Sequence, residues 1–183
     1  MKFFGHLKTV VSHKNQVFIL CCKAGIPFRG ICHDLSKFSP REFIAGVRYY
    51  QGGKKSPNEA ERTKFGYSKA WLHHKGRNRH HFEYWTDYNP AKRKVQPVKM
   101  PLKYLVELIC DRVAASKIYK KKDYTDSYPL EYFLGGKENR FIHEETSLFI
   151  ENTLTRLSLE GEKKTFSYLK NLLKEKGKND ITY

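Results

Sequence analysis

The amino-acid sequence predicts an all-α fold, and three observations support this prediction. Apolar residues recur at helical spacing in several segments, most clearly in Leu102–Tyr119. Glycine and proline fall between these segments, at positions where they commonly end or begin helices. No segment of strand length alternates between apolar and polar residues, as a half-buried strand would. With 183 residues the chain is long enough to bury its own core, so we predict a single-domain helical bundle.

The amino-terminal part of the chain predicts three consecutive helices. The first covers Phe3–Ala24, where apolar residues return mostly at helical steps. A proline suited to a first helical turn begins the second, Pro27–Phe38. Ser39 is the predicted N-cap of the third helix, which continues to about Tyr50. Glu42 stands at the capping-box position, so we expect its side chain to bond back to the cap.

The remaining helices follow the same apolar periodicity. They are predicted at Glu59–His74, Leu102–Tyr119, Phe141–Leu159 and Lys163–Lys176, the last two separated near Gly161. His80–Trp85 predicts a helical turn, and the basic, proline-containing segment Asp87–Pro101 predicts a connection that crosses the surface without strands. The predicted domain spans residues 1–183, with residues 1–122 as the core and residues 123–183 as carboxy-terminal helices that pack on it.

The net charge indicates which partners the protein attracts. The chain has 35 basic and 19 acidic residues, a formal net charge of +16. Such a field attracts polyanions, namely nucleic acid, nucleotides or an anionic membrane surface. The apolar stretch at residues 17–22 is too short for a membrane span, and we expect none.

The cysteines favour a reducing compartment. Cys21, Cys22, Cys32 and Cys110 lack the paired spacing of a zinc knuckle, and the neighbours Cys21 and Cys22 are poorly placed for a structural disulfide. All four lie in apolar helical patterns, so we expect buried free thiols. With no secretory signal evident, the predicted location is the cytoplasm.

A His-Asp pair within an apolar run gives the strongest indication of function. His33 and Asp34 lie in the stretch Ile-Cys-His-Asp-Leu-Ser-Lys-Phe-Ser-Pro. An ionised carboxylate is costly to bury without a compensating partner. A divalent metal ion would compensate the pair, since imidazole nitrogen and carboxylate oxygen both ligate such ions. The alternative is structural, with Asp34 accepting backbone hydrogen bonds near a helix end.

Other histidines and one aspartate extend this pattern. His6 and His13 are seven residues apart, so a helix places them on one face. Asp111 lies in the middle of an apolar helix, where solubility does not explain a carboxylate. Two histidine pairs flank a Gly-Arg-Asn turn, and their members are His73, His74, His80 and His81.

The order of these residues resembles the HD superfamily of metal-dependent phosphohydrolases. In that family an early His, a His-Asp pair and a later Asp bind a metal ion, and two-metal members add intervening His residues. The resemblance assigns His13, His33, Asp34 and Asp111 as metal ligands, with His6 as the competing early His. Lys37 falls where the family has its Lys, although Ser36 replaces a usual Gly. The chain also resembles an uncharacterised family of bacterial and phage proteins that shares the His-Asp-Leu-Ser-Lys-Phe-Ser-Pro and His-His-Lys-Gly-Arg-Asn stretches.

The resemblance implies an HD-like helical core and hydrolysis of a phosphoester. A divalent ion (Mn, Fe, Co, Ni or Zn) would activate water, and the substrate would be a phosphorylated small molecule or a nucleotide. Lys37, Arg77 and Arg79 are candidates to bind phosphate oxygens. Asp34 is a candidate catalytic residue as well as a metal ligand, and one of His73, His74, His80 and His81 is a candidate general acid for the leaving oxygen. Two alternatives remain open: a basic helical nucleic-acid-binding protein without catalysis, and a nuclease in which His73–His81 loosely resembles a His-Asn-His arrangement.

Overall fold

A computed structural model describes residues 2–53, 55–177 and 180, and within these residues the protein has eight α-helices and one β-hairpin. The helices are α1 (Lys2–Lys23), α2 (Pro27–Cys32), α3 (Pro40–Arg48), α4 (Pro57–Phe65), α5 (Lys69–Arg77), α6 (Leu102–Lys120), α7 (Tyr128–Leu134) and α8 (Glu144–Lys176). The strands are β1 (Thr86–Asn89) and β2 (Lys94–Pro97). The predicted all-α class is confirmed. The remaining residues of the predicted domain, namely 1, 54, 178, 179 and 181–183, lie outside the described residues.

Helix α6 forms the centre of the core. Its apolar side chains are buried around most of the helix circumference, including Leu105, Val106, Ile109 and Val113. Helix α1 packs against α2 and α6, whereas α8 packs against α6 and α7. A helix that is buried on nearly all sides is held rigidly by its neighbours. Polar groups on α6 are therefore held in fixed positions relative to α1.

The segment with the His-Asp pair is not the single helix that the sequence predicted for Pro27–Phe38. Helix α2 ends at Cys32, and Asp34 adopts a left-handed conformation with φ of 53° before a short 3₁₀ turn at Leu35–Phe38. In a continuous helix, consecutive side chains point about 100° apart, so His33 and Asp34 would face different directions. The break instead buries both His33 and Asp34, which are 1% and 2% exposed.

Two helices, α4 and α5, replace the single helix predicted for Glu59–His74. Gly66 ends α4 with φ of 77°, a conformation that glycine adopts without strain. The Ser68 side chain then caps α5 by accepting a hydrogen bond from the backbone N–H of Trp71 at 3.0 Å. The break gives α5 its own direction, and this direction sets where His73 and His74 point.

The β-hairpin contradicts the prediction that Asp87–Pro101 lacks strands. Strands β1 and β2 pair antiparallel with Tyr88 opposite Val95, and both of these side chains are exposed. Because the hairpin does not bury an apolar face of its own, it lacks the alternation that predicts strands. Helix α7 was also not predicted, whereas the break near Gly161 is confirmed by its φ of 79° within α8.

The expectation of four buried thiols is wrong for two of the cysteines. Cys21 and Cys110 are buried between α1 and α6, but Cys22 and Cys32 are exposed, and all four are free. A helix presents neighbouring residues on different faces, so Cys21 and Cys22 differ in burial although they are adjacent. None of the described helices is both long enough and apolar enough to cross a membrane.

We predict that Glu162→Gln lowers the free energy of unfolding by about 1 kcal/mol at neutral pH. The Glu162 carboxylate pairs with Lys23 of α1 at 2.6 Å and with Lys117 of α6, so it joins three helices. Burial alone would raise the pKa of Glu162, but the two lysines lower it below its ordinary value. The stabilisation is therefore present above about pH 4.3 and is lost as the pH falls through the lowered pKa.

Urea unfolding of both proteins at neutral pH and near pH 3 measures this difference. Glu160→Gln is the matched control, since Glu160 pairs only with Arg156 on the same helix among the described residues. A difference between wild type and Glu162→Gln that persists unchanged at pH 3 would contradict the electrostatic explanation.

Candidate metal centre

Imidazole and carboxylate groups from three separate parts of the chain meet in one buried cluster. Helix α1 provides His13, the break after α2 provides His33 and Asp34, and α6 provides Asp111. One ligand atom of each residue lies within 4.8 Å of the others, so the four could hold a metal ion. These are the four residues that the sequence analysis selected as metal ligands.

The contacts within this group are close. Nε2 of His13 lies 2.9 Å from Oδ1 of Asp111. Nε2 of His33 lies 3.2 Å from Oδ2 of Asp34 and 3.5 Å from Oδ1 of Asp111. The two histidines thus direct the same ring atom towards the two carboxylates.

A second group shares Asp34 with the first. Oδ1 of Asp34 lies 3.3 Å from Nε2 of His74 and 3.5 Å from Nε2 of His80. With His81, these residues form another set whose ligand atoms lie within 4.8 Å of one another. Each oxygen of the Asp34 carboxylate therefore faces a different group of histidines, which is the arrangement of a carboxylate that bridges two cation positions.

Glu107 orients His33 and His80 by contacting Nδ1 of each ring, the nitrogen that does not face Asp34. Its Oε1 accepts hydrogen bonds from Nδ1 of His33 at 3.0 Å and lies 3.3 Å from Nδ1 of His80. Its Oε2 accepts a hydrogen bond from Nε of Arg29 at 2.6 Å. Because an ionised carboxylate only accepts hydrogen bonds, Nδ1 of each ring carries a proton, and Nε2 is the ring atom that faces Asp34.

Glu42 has the same role for His74, and its predicted function as a capping-box partner is wrong. Its two carboxylate oxygens accept hydrogen bonds from Nδ1 of His73 at 2.6 Å and Nδ1 of His74 at 2.7 Å. No side chain caps the start of α3. Glu42 is buried, and a buried carboxylate is stabilised more by two imidazole N–H donors than by a solvated helix end.

Six buried polar atoms in the two groups form no hydrogen bond of acceptable geometry within the described residues, although several of them lie 2.6–3.9 Å from an ion-pair partner. They are Nε2 of His13, His33, His80 and His81, and both carboxylate oxygens of Asp34. Most buried polar atoms in proteins are hydrogen-bonded, so a concentration of exceptions requires an explanation. All six are metal-ligand atoms, and all six belong to the two groups. The donor set therefore fits a metal ion, or two that share Asp34.

The electrostatics of the cluster favour anionic carboxylates and positively charged neighbours. Burial would raise the pKa values of Asp34 and Asp111, but nearby histidines, and Lys37 beside Asp34, hold both well below their ordinary values. Burial would likewise raise the pKa of Glu107, and hydrogen bonds from His33 and His80 lower it to about 2. Burial would lower the pKa of His33, but three carboxylates, those of Asp34, Asp111 and Glu107, raise it well above its usual value. The carboxylates of Asp34, Asp111 and Glu107 thus lie close together in ionised form, and nearby positive charge is needed to stabilise them.

The other residues considered from the sequence fall in four different places. Lys37 joins the cluster, with Nζ 2.6 Å from Oδ2 of Asp34. His73 contacts Glu42 and belongs to neither ligand group. His6 is also outside both groups, where its ring packs against Gly46, and so His13 is the early histidine that reaches the cluster. Arg77 does not line the cavity beside the cluster and instead borders a smaller pocket.

A cavity of about 920 Å³ opens beside the cluster. His13, Asp34, His74, His81 and Asp111 form one wall. Cationic and aromatic side chains from α6, α7 and the following loop form another part of the lining, namely Arg112, Arg140, Tyr119, Tyr128 and Tyr132. Nε of Arg112 is buried without a hydrogen-bond partner within the described part of the chain. The cavity therefore offers cationic and aromatic groups, besides the carboxylates of the cluster, to a bound molecule.

A protein-family model matches residues 2–156, which is most of the chain. The chain belongs to DUF5662, a family of unknown function. The matched region of this DUF5662 member includes every residue of both ligand groups, together with Glu42 and Glu107. Neither a curated protein nor a solved structure matches the chain.

Two residues of the site were not predicted from the sequence. Glu107 was not selected at all, and Glu42 was assigned a capping role instead of its role beside the histidines. Glu107 lies four residues before Asp111 on the same helix, so both carboxylates share one face of an apolar helix. That spacing was available in the sequence and could have identified Glu107. For Glu42, the capping pattern was enough to explain a glutamate at this position of the sequence. Its partners, His73 and His74, can be recognised only from the position of α5 in the structure.

We expect Glu107→Gln to destabilise the protein by about 2 kcal/mol in the presence of a chelator, because Arg29, His33 and His80 lose a charged acceptor. Urea unfolding measures the change. Glu59→Gln is the control, since Glu59 is exposed and pairs with Lys55 one helical turn away. Equal stability losses in the two variants would show that Glu107 does not organise the histidines.

Proposed function

We propose that this protein is a metal-dependent phosphohydrolase whose reaction centre is the cluster around Asp34. The observation that carries the proposal concerns six buried atoms of kinds that ligate metal ions, none of which forms a hydrogen bond of acceptable geometry with a described residue. All six belong to two groups that share one carboxylate. The resemblance of the His13, His33-Asp34 and Asp111 pattern to the HD superfamily supports the same conclusion from the sequence.

Two cation positions account for the donor groups. His13, His33, Asp34 and Asp111 would hold one ion, and Asp34, His74, His80 and His81 would hold the other. Mixed imidazole and carboxylate ligands suit Mn, Fe, Co, Ni or Zn. When bound, such ions supply Lewis acidity at a phosphoryl oxygen and lower the pKa of a bound water molecule towards neutrality.

The protein's own side chains contribute orientation and charge. Glu107 and Glu42 fix the rings of His33, His80 and His74 so that Nε2 faces the centre. Lys37 lies at the edge of the cavity and offers its ammonium group to phosphate oxygens beside Asp34. Arg112 follows Asp111 directly and adds an unpaired guanidinium group that can bind phosphate through two N–H groups.

The cavity supports a phosphorylated small molecule or nucleotide as the substrate. The phosphate would lie at the wall formed by the cluster and Lys37, while the tyrosines of α6 and α7 would contact the organic part of the molecule. A reducing compartment such as the cytoplasm suits the four free thiols, two of which are exposed.

The second candidate function is nucleic-acid binding without catalysis. The formal net charge of +16 supports it, because a strongly positive protein attracts the phosphate backbone of nucleic acids. Under this alternative the buried histidines would serve only to stabilise the fold.

Metal analysis tests the proposed centre. We expect wild-type protein reconstituted with Mn, Co, Ni or Zn to retain two equivalents of metal. Asp34→Ala should lose both, whereas His13→Ala and His81→Ala should each retain one, since each removes a ligand of only one group. His143→Ala is the control, because His143 belongs to neither group. Wild-type protein that retains no stoichiometric metal would eliminate the hydrolase proposal.

A screen of phosphomonoesters, phosphodiesters and nucleotides with the same ions tests the reaction itself. For a substrate found in this way, Lys37→Ala should reduce kcat/KM about 100-fold, because a cation next to the reacting phosphate is lost. Lys55→Ala is the matched control, since Lys55 lines the same cavity but pairs with Glu59. Nucleic-acid binding that weakens steeply with salt, together with no phosphate release from any compound, would favour the second candidate.

A further inference from the structure

A second, smaller pocket adjoins the metal cluster at Glu107 and His80. It has a volume of about 300 Å³ and is bordered by three arginines, Arg29, Arg77 and Arg79, and by Tyr104, Cys32 and Glu107. Arg77 and Arg79 were predicted from the sequence to bind phosphate, but neither lines the cavity beside the cluster. If these two arginines bind phosphate, they therefore do so outside that cavity.

The pocket has an excess of positive charge. Glu107 is the single carboxylate among its lining residues, and both oxygens of that carboxylate already contact Arg29, His33 and His80. Arg77 and Arg79 form no ion pair with any residue in the described ranges. Two guanidinium groups thus face the pocket without an anionic partner from the protein.

Tyr104 holds two of the arginines in position. The guanidinium carbon of Arg29 lies 4.3 Å from the centre of the Tyr104 ring, and Nη1 of Arg79 donates a hydrogen bond to its hydroxyl group at 3.3 Å. Arg77 is the last residue of α5, and Asn78 anchors the following turn by donating to the backbone carbonyl of His74 at 2.8 Å. Tyr104 therefore positions Arg29 and Arg79, while Arg77 and Arg79 remain exposed to solvent.

We propose that this pocket binds a phosphate group, and that Arg77 and Arg79 are its principal ligands. Planar guanidinium groups bind phosphate oxygens bidentately, and arginines that approach from two elements suit an anion with several oxygens. The phosphate can belong to a free phosphorylated molecule or to the backbone of a single-stranded nucleic acid. The pocket shares His80 and Glu107 with the metal cluster, but none of its arginines belongs to a ligand group. Phosphate binding there can therefore be tested without metal, and the proposal does not depend on the proposed hydrolase activity.

The exposed thiol of Cys32 provides a direct measurement, because it borders the pocket. Full-length protein in a chelator is treated with N-ethylmaleimide, and mass spectrometry follows alkylation of Cys32 and of Cys22. Cys22 is also exposed but does not border the pocket, so it is an internal control. The probes are inorganic phosphate, a mononucleotide and a single-stranded oligonucleotide, each compared with sodium chloride at equal ionic strength.

At a probe concentration ten times its dissociation constant, we expect alkylation of Cys32 to slow about tenfold, with no change at Cys22. Protection by inorganic phosphate would indicate a site for free phosphate groups, whereas protection by the oligonucleotide alone would indicate a backbone phosphodiester. Either result supports the proposal, provided that the protection is lost in the double variant Arg77→Gln/Arg79→Gln. Both arginines are exposed, so this variant should fold, and its melting temperature checks that it does.

The double variant Lys69→Gln/Lys75→Gln is the charge-matched control. It removes the same number of positive charges from α5, but neither lysine borders the pocket, so protection should remain. The proposal is overturned if no probe protects Cys32, if Cys22 is protected equally, or if protection survives the loss of Arg77 and Arg79. Line broadening in the phosphorus NMR spectrum of inorganic phosphate gives the same comparison between variants without a thiol reagent.

Discussion

The need to compensate the buried carboxylate of Asp34 determines how the central part of this protein is organised. Asp34 is almost fully buried, and its oxygens contact His33, His74 and Lys37 at 2.6–3.3 Å. An isolated charge in such a place would cost far more than a single domain can provide. Asp34 can therefore be buried only because the histidines and the lysine surround it. The break after α2 is also needed, since it turns the side chain inwards.

Helix α6 connects this charged cluster to the apolar core. Glu107 and Asp111 lie one turn apart on the face directed at the cluster, and the residues between them, Leu108–Cys110, are buried in the core. The same helix thus supplies a candidate ligand atom, an outer acceptor and a large part of the apolar packing. Because closely packed side chains permit little displacement, the positions of both carboxylates are fixed by the fold.

The two outer carboxylates also define two sides of the site. Glu42 supports the side with His74, adjoining the large cavity, and Glu107 lies between the cluster and the arginine pocket. Arg29 belongs to both environments, since it pairs with Glu107 and borders the smaller pocket. The positive charge of the protein is therefore not only a general surface property, because part of it is concentrated in the smaller pocket beside Glu107.

The sequence alone was sufficient for the features that depend on local chemistry. Helical periodicity identified α1 and α6, and the glycine at residue 161 predicted the break in α8. The rarity of unpaired carboxylates in apolar segments selected Asp34 and Asp111, and the resemblance to a metal-binding pattern added His13 and His33. All four residues meet in the structure, because each is constrained by an energetic cost that can be recognised within a few neighbouring residues.

Tertiary structure decided which partners these groups found. A capping pattern explained Glu42 locally, but its contacts with His73 and His74 depend on the break between α4 and α5. Arg77 is in the same short stretch as His74, yet its place at the end of α5 brings it to a different pocket. The direction of a side chain after a break depends on how distant helices pack. The residues that determine this packing are spread over the whole chain, so neighbouring residues alone do not reveal the direction.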